Sequence, residues 1–424
     1  MKIKDIHARE ILDSRGIPTI STEIELLSGV KGVAEVPSGA STGKTEVLEL
    51  RDKDMGRYHG KGVLNAVNLV NTKIRELVVD KDFDSQKAFD DLLIKADGTE
   101  NKSNFGGNTI LSCSMAFARA VSNEFGLNLY EYLGMIYWDK EYNVSKFVLP
   151  TPQILVMEGG KHGNWATDIQ EYMIVPNVKK FGSFSESLRK CTEVFHTLHD
   201  VLDDRGFSVG LGYEGAYAPK ELESNQDAFD MIIESIEKSG MKVGEDFTFA
   251  LDLAASEFYK DGKYTLQSEN KELDREEWIA MQREWYGKYP IYSIEDPLDE
   301  EDWEGWSLVT KEFGEKFQIV GDDLLTTNTK LIQKGIDFKS MNSVLIKLNQ
   351  IGTVSETLDA IRITVDNGMK AVVSHRSGET NDDFIADLVI ATPADQSKFG
   401  GVSRGERLAK YNRLLKIEEI LAKR

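Results

Sequence analysis

From about residue 247 onward the chain repeats one pattern, a short apolar run that stops at a polar residue. Residues 247–251 end in Asp252, 289–294 in Glu295-Asp296, and 317–320, after Gly321, in Asp322-Asp323. Residues 344–346 end in Lys347, and 371–373 in Ser374-His375-Arg376-Ser377. Strands that are apolar throughout are buried on both faces, the condition of a parallel sheet covered by helices. The end residues Asp252, Glu295, Asp322, Lys347 and His375 stand 43, 27, 25 and 28 residues apart. Each step after the first fits one strand-helix unit, with helical stretches such as 354–363 between. Such a repeat predicts an α/β fold, a (β/α)8-type barrel whose polar residues meet at the carboxyl-terminal rim of the strands.

The first third reads differently. Residues 18–26 alternate, Ile20, Ile24 and Leu26 against Ser21, Glu23 and Glu25, as a half-exposed strand does. A second strand at 33–36 runs into Pro-Ser-Gly-Ala-Ser-Thr-Gly-Lys-Thr, residues 37–45. A nucleotide-binding phosphate loop needs four residues between its first Gly and Gly-Lys-Thr; only three separate Gly39 from Gly43. The segment is instead expected to be a hydroxyl-rich flap over a polar site. Ser85 can cap a helix with Ala88, Phe89, Leu92, Leu93 and Ala96 on one face, and 109–121 is apolar nearly all round. Periodicity lapses between 134 and 148, which divides the chain into an α+β capping domain, 1–138, and a barrel domain, 139–424. Two amphipathic helices follow at 188–202 and 228–236, the second with Ser224 as cap and Gly240 as stop. His196 and His199 lie on the first of these, but no carboxylate completes a metal motif, and they read as solvent-facing.

Composition narrows function. A formal net charge of −20 over 424 residues argues against nucleic-acid or anionic-membrane binding, while leaving room for a local basic pocket. No apolar stretch approaches the roughly 18 residues of a membrane span, and Met1-Lys2-Ile3-Lys4 leads into no signal-peptide core. Cys113 and Cys191 have neither metal nor redox spacing. A cytoplasmic protein with two buried thiols is expected.

Converging on one rim, Asp252, Glu295 and Asp322 would repel unless a hard cation lay among them, and oxygen ligands favour Mg²⁺ over Zn²⁺. Lys347, at the end of an apolar strand, is expected to lose basicity on desolvation and so to serve as a base. The turn 374–377 and Lys398 add donors for a carboxylate or phosphate. Metal, buried amine and anion-binding groups together describe proton abstraction next to a carboxylate. This matches, and is not independent of, the known lysine-plus-Mg²⁺ pattern of the enolase superfamily.

The chain resembles enolase, phosphopyruvate hydratase, over essentially its whole length. The resemblance is carried by Ala8-Arg9-Glu10-Ile11-Leu12-Asp13-Ser14-Arg15-Gly16, the 37–43 loop, Asp97-Gly98-Thr99 and Asp168-Ile169-Gln170-Glu171. It continues in Ser293-Ile294-Glu295-Asp296-Pro297, Leu345-Ile346-Lys347, residues 374–380 and Lys410-Tyr411-Asn412. It implies a lyase that dehydrates 2-phosphoglycerate to phosphoenolpyruvate, with Lys347 taking the C2 proton and Glu214 protonating the departing hydroxide. His162 and Glu171 would also be catalytic and, with Gln170, line the substrate, while His375, Arg376, Ser377 and Lys398 would bind it. Asp252, Glu295 and Asp322 would hold one Mg²⁺, and Ser41 on the flap a second that arrives with substrate. A homodimer or an assembly of dimers is implied. Six positions depart from the family pattern: Ile17, Leu155 and Glu158 replace Asn, Tyr213 replaces Asp, Ala216 replaces Gly and Phe399 replaces Thr. They mark a divergent, bacterial-type member. Two competing readings follow: another lyase of the superfamily acting on a related acid, or an enolase scaffold exposed on a cell surface, with Ala422-Lys423-Arg424 as a basic handle.

Overall fold

The computed structural model describes residues 1–39 and 43–423. Its first part is an antiparallel sheet of β1 (Ile3–Leu12), β2 (Pro18–Leu26) and β3 (Lys31–Glu35), in that order. The helix Gly107–Glu124 lies across β2 and β3 and is buried along most of its length, as its apolar composition predicts. The helix covers the apolar face of β2, while on the opposite face Glu23 and Glu25 stay part-exposed and pair with Lys31 and Lys4, the half-exposed strand that the alternation suggested. Thr19 donates to the Val36 carbonyl at 2.6 Å, and the Thr22 and Ser112 hydroxyls meet at 2.7 Å. The helix Gln86–Asp97 begins at Ser85, whose side chain accepts from the Ala88 amide. β1 itself carried no clear period in the sequence.

The second part is a closed eight-stranded barrel. Its strands are β4 (Thr151–Glu158), β5 (Glu171–Pro176), β6 (Phe247–Asp252), β10 (Ile291–Glu295), β11 (Gln318–Gly321), β12 (Ser343–Ile346), β13 (Lys370–Ser374) and β14 (Gln396–Lys398). The long first step of the repeat, from Asp252 to Glu295, contains a small antiparallel sheet of β7 (Tyr259–Lys260), β8 (Lys263–Leu266) and β9 (Lys271–Leu273). Seven barrel strands run one way; β5 is antiparallel to both neighbours, pairing Glu171 with Glu158 of β4 and with Asp252 of β6. The repeat from residue 247 on is parallel as expected, and the reversed strand lies before it. With β5 reversed, its first residue, not its last, lies on the functional rim.

The two parts meet through part-buried polar contacts. Arg119 of the long helix reaches Asp382 at 2.6 Å and Asp383 at 2.9 Å, and the Ser355 hydroxyl donates to Asp90 at 2.7 Å. Ser38 exchanges backbone hydrogen bonds with Gly378, at 2.7 and 2.9 Å.

Candidate active site

The strand ends bring charged side chains into register around the rim. Glu158, Glu171, Asp252 and Glu295 are successive partners across β4, β5, β6 and β10. The Lys398 ammonium, from the end of β14, sits among three of them, 3.1 Å from Glu171, 3.3 Å from Asp252 and 2.9 Å from Glu295. Burial alone would lower its basicity; the three carboxylates outweigh that and hold it well above the ordinary lysine value. Glu295 is pushed well up, first by burial and then by the charge of Asp252. As these side chains stand, Lys398 neutralises acids that the sequence assigned to a metal.

Lys347 follows β12 directly and donates to Asp322 at 2.5 Å. Burial lowers its pKa, but Asp322 more than offsets this, and Lys347 is raised above the normal lysine value. The predicted fall toward neutrality is therefore corrected. Desolvation was the visible influence in the sequence, and the paired carboxylate was not. Asp322 also accepts from Gln350 at 2.8 Å, and its amide donates to Asp296 at 3.0 Å.

On the other side of the acid row, His162 Nδ1 lies 3.4 Å from Glu214 and 3.5 Å from Glu171. Burial would discharge this imidazole, but Glu214, Glu171 and Glu158 outweigh it and raise His162 to about 9. Glu214 is held well below the ordinary carboxylate range: burial opposes ionisation, and His162 and His375 overcome it. His375 accepts from the Arg407 guanidinium at Nδ1, 2.6 Å, which leaves Nε2 to face Glu214 at 3.3 Å. Burial lowers the His375 pKa despite Glu214, so this ring is neutral. Gln170 donates to Asp252 at 3.3 Å, while its side-chain oxygen has no partner among the described residues.

Arg376 is clasped by Glu46 at 3.0 Å and Asn349 at 3.0 Å, and the Ser377 carbonyl accepts from Arg407 at 2.7 Å. One cleft is lined by His162, Gln170, Glu171, Glu214, Asp252, Asp322, Lys347, His375, Arg376, Ser377 and Lys398. Ser41 lies outside the described residues. His196 is exposed and His199 contacts Asp200, so the pair on the amphipathic helix builds no site.

The acids that close to metal-holding distance are Asp296, Asp322 and Asp323, each with an oxygen within 4.8 Å of the others. Burial and mutual repulsion push Asp296 and Asp323 well above their ordinary pKa. An all-oxygen, charge-crowded set fits a hard dication such as Mg²⁺. His162, Glu171 and Glu214 lie equally close. There the imidazole supplies positive charge beside the two carboxylates. Asp296 and Asp323 were visible in the sequence only as the second member of each doubled acid. Glu46 and Arg407 gave no local signal, since each acts on a segment far from it in the chain.

A barrel whose rim joins two carboxylate-paired lysines, a cation-ready acid cluster and an imidazole-flanked carboxylate defines a lyase-type enzyme of the enolase superfamily. Residues 3–133 match the family described as enolase, N-terminal domain, and residues 146–424 match enolase, C-terminal TIM barrel domain. The chain belongs to the enolase family. Among the described residues, no helix is long and apolar enough to cross a membrane.

Proposed function

We propose that the protein dehydrates 2-phosphoglycerate reversibly to phosphoenolpyruvate. The observation that carries this reading is the gathering of Lys347, Glu214 and the anion-binding Arg376 and Ser377 around a single cleft. Lys347 removes the C2 proton, and the electron pair left behind is delocalised into the substrate carboxylate. That pair then forms the C2–C3 double bond as the C3–O bond breaks, and the departing oxygen takes a proton from Glu214 and leaves as water. Glu214 stands ionised between His162 and His375, so it must first be loaded with a proton. His162, charged and 3.4 Å away, is the donor within reach. Arg376, Ser377, Gln170, His375 and Lys398 bind the phosphate and carboxylate, and Glu171 holds His162 in place. Asp252, Glu295 and Asp322 would hold one Mg²⁺, with Asp296 and Asp323 beside them, and Ser41 a second that arrives with substrate. When bound, Mg²⁺ supplies positive charge at the substrate carboxylate and takes up the charge of Asp322 that otherwise keeps Lys347 protonated.

The test is direct: purified protein with 2-phosphoglycerate and Mg²⁺, followed by the ultraviolet absorbance of phosphoenolpyruvate. Product is expected from the parent and none from Lys347→Ala; equal rates from both would sink the reading. A homodimer or an assembly of dimers belongs to the same proposal, and light scattering on a sizing column checks it.

A further inference from the structure

Glu158 ends β4, is fully enclosed, and lines no part of the cleft. A carboxylate so placed must be satisfied internally, and it is satisfied by backbone. Its Oε1 accepts from the Glu214 amide at 3.0 Å and from the Ala216 amide at 2.8 Å; Oε2 shares the Glu214 amide at 3.1 Å. The Glu158 amide in turn donates to the Tyr217 carbonyl at 2.8 Å. The fit is close: a Cβ on Gly212 would lie 2.3 Å from Glu158 Oε2. On its far side the turn is held by Gly401, whose amide donates to the Glu214 carbonyl at 2.9 Å. The backbone of Glu214 is thus gripped from both directions, and one grip is a side chain where the family pattern has the shorter Asn.

We propose that Glu158 is a positioning residue for the second half of the reaction. Its carboxyl clamps the 212–216 turn and aims Glu214 at the departing hydroxide, with no part in proton abstraction by Lys347. The inference rests on the dehydratase reading given above. Burial, and then the charge of Glu214, push Glu158 up to about 8, and its Oε1, which accepts from both amides, satisfies the turn in either protonation state. Glutamine offers the same accepting oxygen. Leucine has similar bulk and offers none, leaving two buried amides without a partner.

Glu158→Leu and Glu158→Gln separate this role from a merely structural one. In the free protein, hydrogen–deuterium exchange at the Glu214 and Ala216 amides is expected to accelerate in the Leu variant and to return to parental protection in the Gln variant. With 2-phosphoglycerate in D₂O, the Leu variant should lose about tenfold or more in dehydration rate. Its KM and its exchange of the C2 hydrogen should stay within about twofold of the parent, since those report binding and Lys347. The Gln variant should recover most of the dehydration rate. Unchanged amide protection in the Leu variant, or a fall of C2 exchange in step with dehydration, overturns the proposal. If the Leu variant does not fold, Glu158→Asp, which withdraws the acceptor by one methylene, is put through the same two measurements. A parent protein inert toward 2-phosphoglycerate would overturn the dehydratase reading alone, because amide protection still decides whether Glu158 clamps the turn.

Discussion

His162 carries a charge that its burial would forbid without three neighbouring carboxylates, and that has a consequence for stability. Its folded pKa, about 9, stands above the ordinary 6.5. A raised cationic group contributes stability that is complete below the unfolded pKa and is lost as pH rises through the folded one. Glu158, raised from 4.5 to about 8, acts in the same direction, since the folded state again binds more protons than the unfolded one. Stability is therefore expected to fall between about pH 4.5 and 8 through Glu158 and between about pH 6.5 and 9 through His162, by at most about 1.4 kcal/mol per pH unit for each group. Urea unfolding at pH 6, 7.5 and 9 measures the slope, and His162→Gln should flatten it; an identical slope in that variant would show that the imidazole is not its source. The same residues show where reading the sequence stops. Lys347 was legible as a buried strand-end lysine, but its basicity is set by Asp322, and the contact between them depends on how β11 and β12 stack. Clusters that need three elements at once, such as Arg407 with His375 and Ser377, leave no trace in any local window.

At the scale of elements, the closest approach in the first part is between β3 and the helix Gly107–Glu124. A Cβ on Gly32 would lie 2.1 Å from the Ala120 nitrogen and 2.4 Å from the Ala116 oxygen, both backbone atoms that cannot step aside. Gly32→Ala should therefore push the helix off the sheet and destabilise the protein by about 3 kcal/mol or more. Chemical denaturation against the parent checks this, and a loss under 1 kcal/mol, the ordinary range for a mild surface change, would mean that helix and strand have slack. The strands β6 and β10 to β13 were readable from the sequence because burial on both faces leaves only their ends polar, whereas β4, β5 and β14 were not read. Direction was not readable, because an apolar run looks the same from either end. Glu171, the acid at the start of β5, was the one sign of reversal.

Across the whole molecule, the two parts are tied by part-buried polar contacts, Arg119 with Asp382 and Asp383 and Ser355 with Asp90, and by the backbone pairing of Ser38 with Gly378. The loss of one part would strand charged groups of the other, so calorimetry should show a single cooperative transition. The acid cluster should couple that transition to divalent cations, since any ligand that binds only the folded state stabilises it by mass action. Mg²⁺ at about 100 times its dissociation constant should add about 2.7 kcal/mol, and Asp322→Asn should remove most of the increment. A melting temperature indifferent to Mg²⁺ and to chelator would rule out a cation site there.

The barrel closes where β14 meets β4, pairing Gln396 with Thr151 from opposite ends of its sequence, whereas β4, β5 and β6 are joined in succession. Loop-closure entropy favours local pairing first, which makes the seam with β14 the last to form and the first to part. That seam delivers Lys398 to Glu171, Asp252 and Glu295, so three carboxylates wait without a counter-charge until the ring shuts. Lys398 is then a latch on the native state and no guide toward it. Lys398→Met should hasten unfolding while leaving the refolding limb of a stopped-flow chevron almost in place, and a slowed refolding limb would place closure early instead.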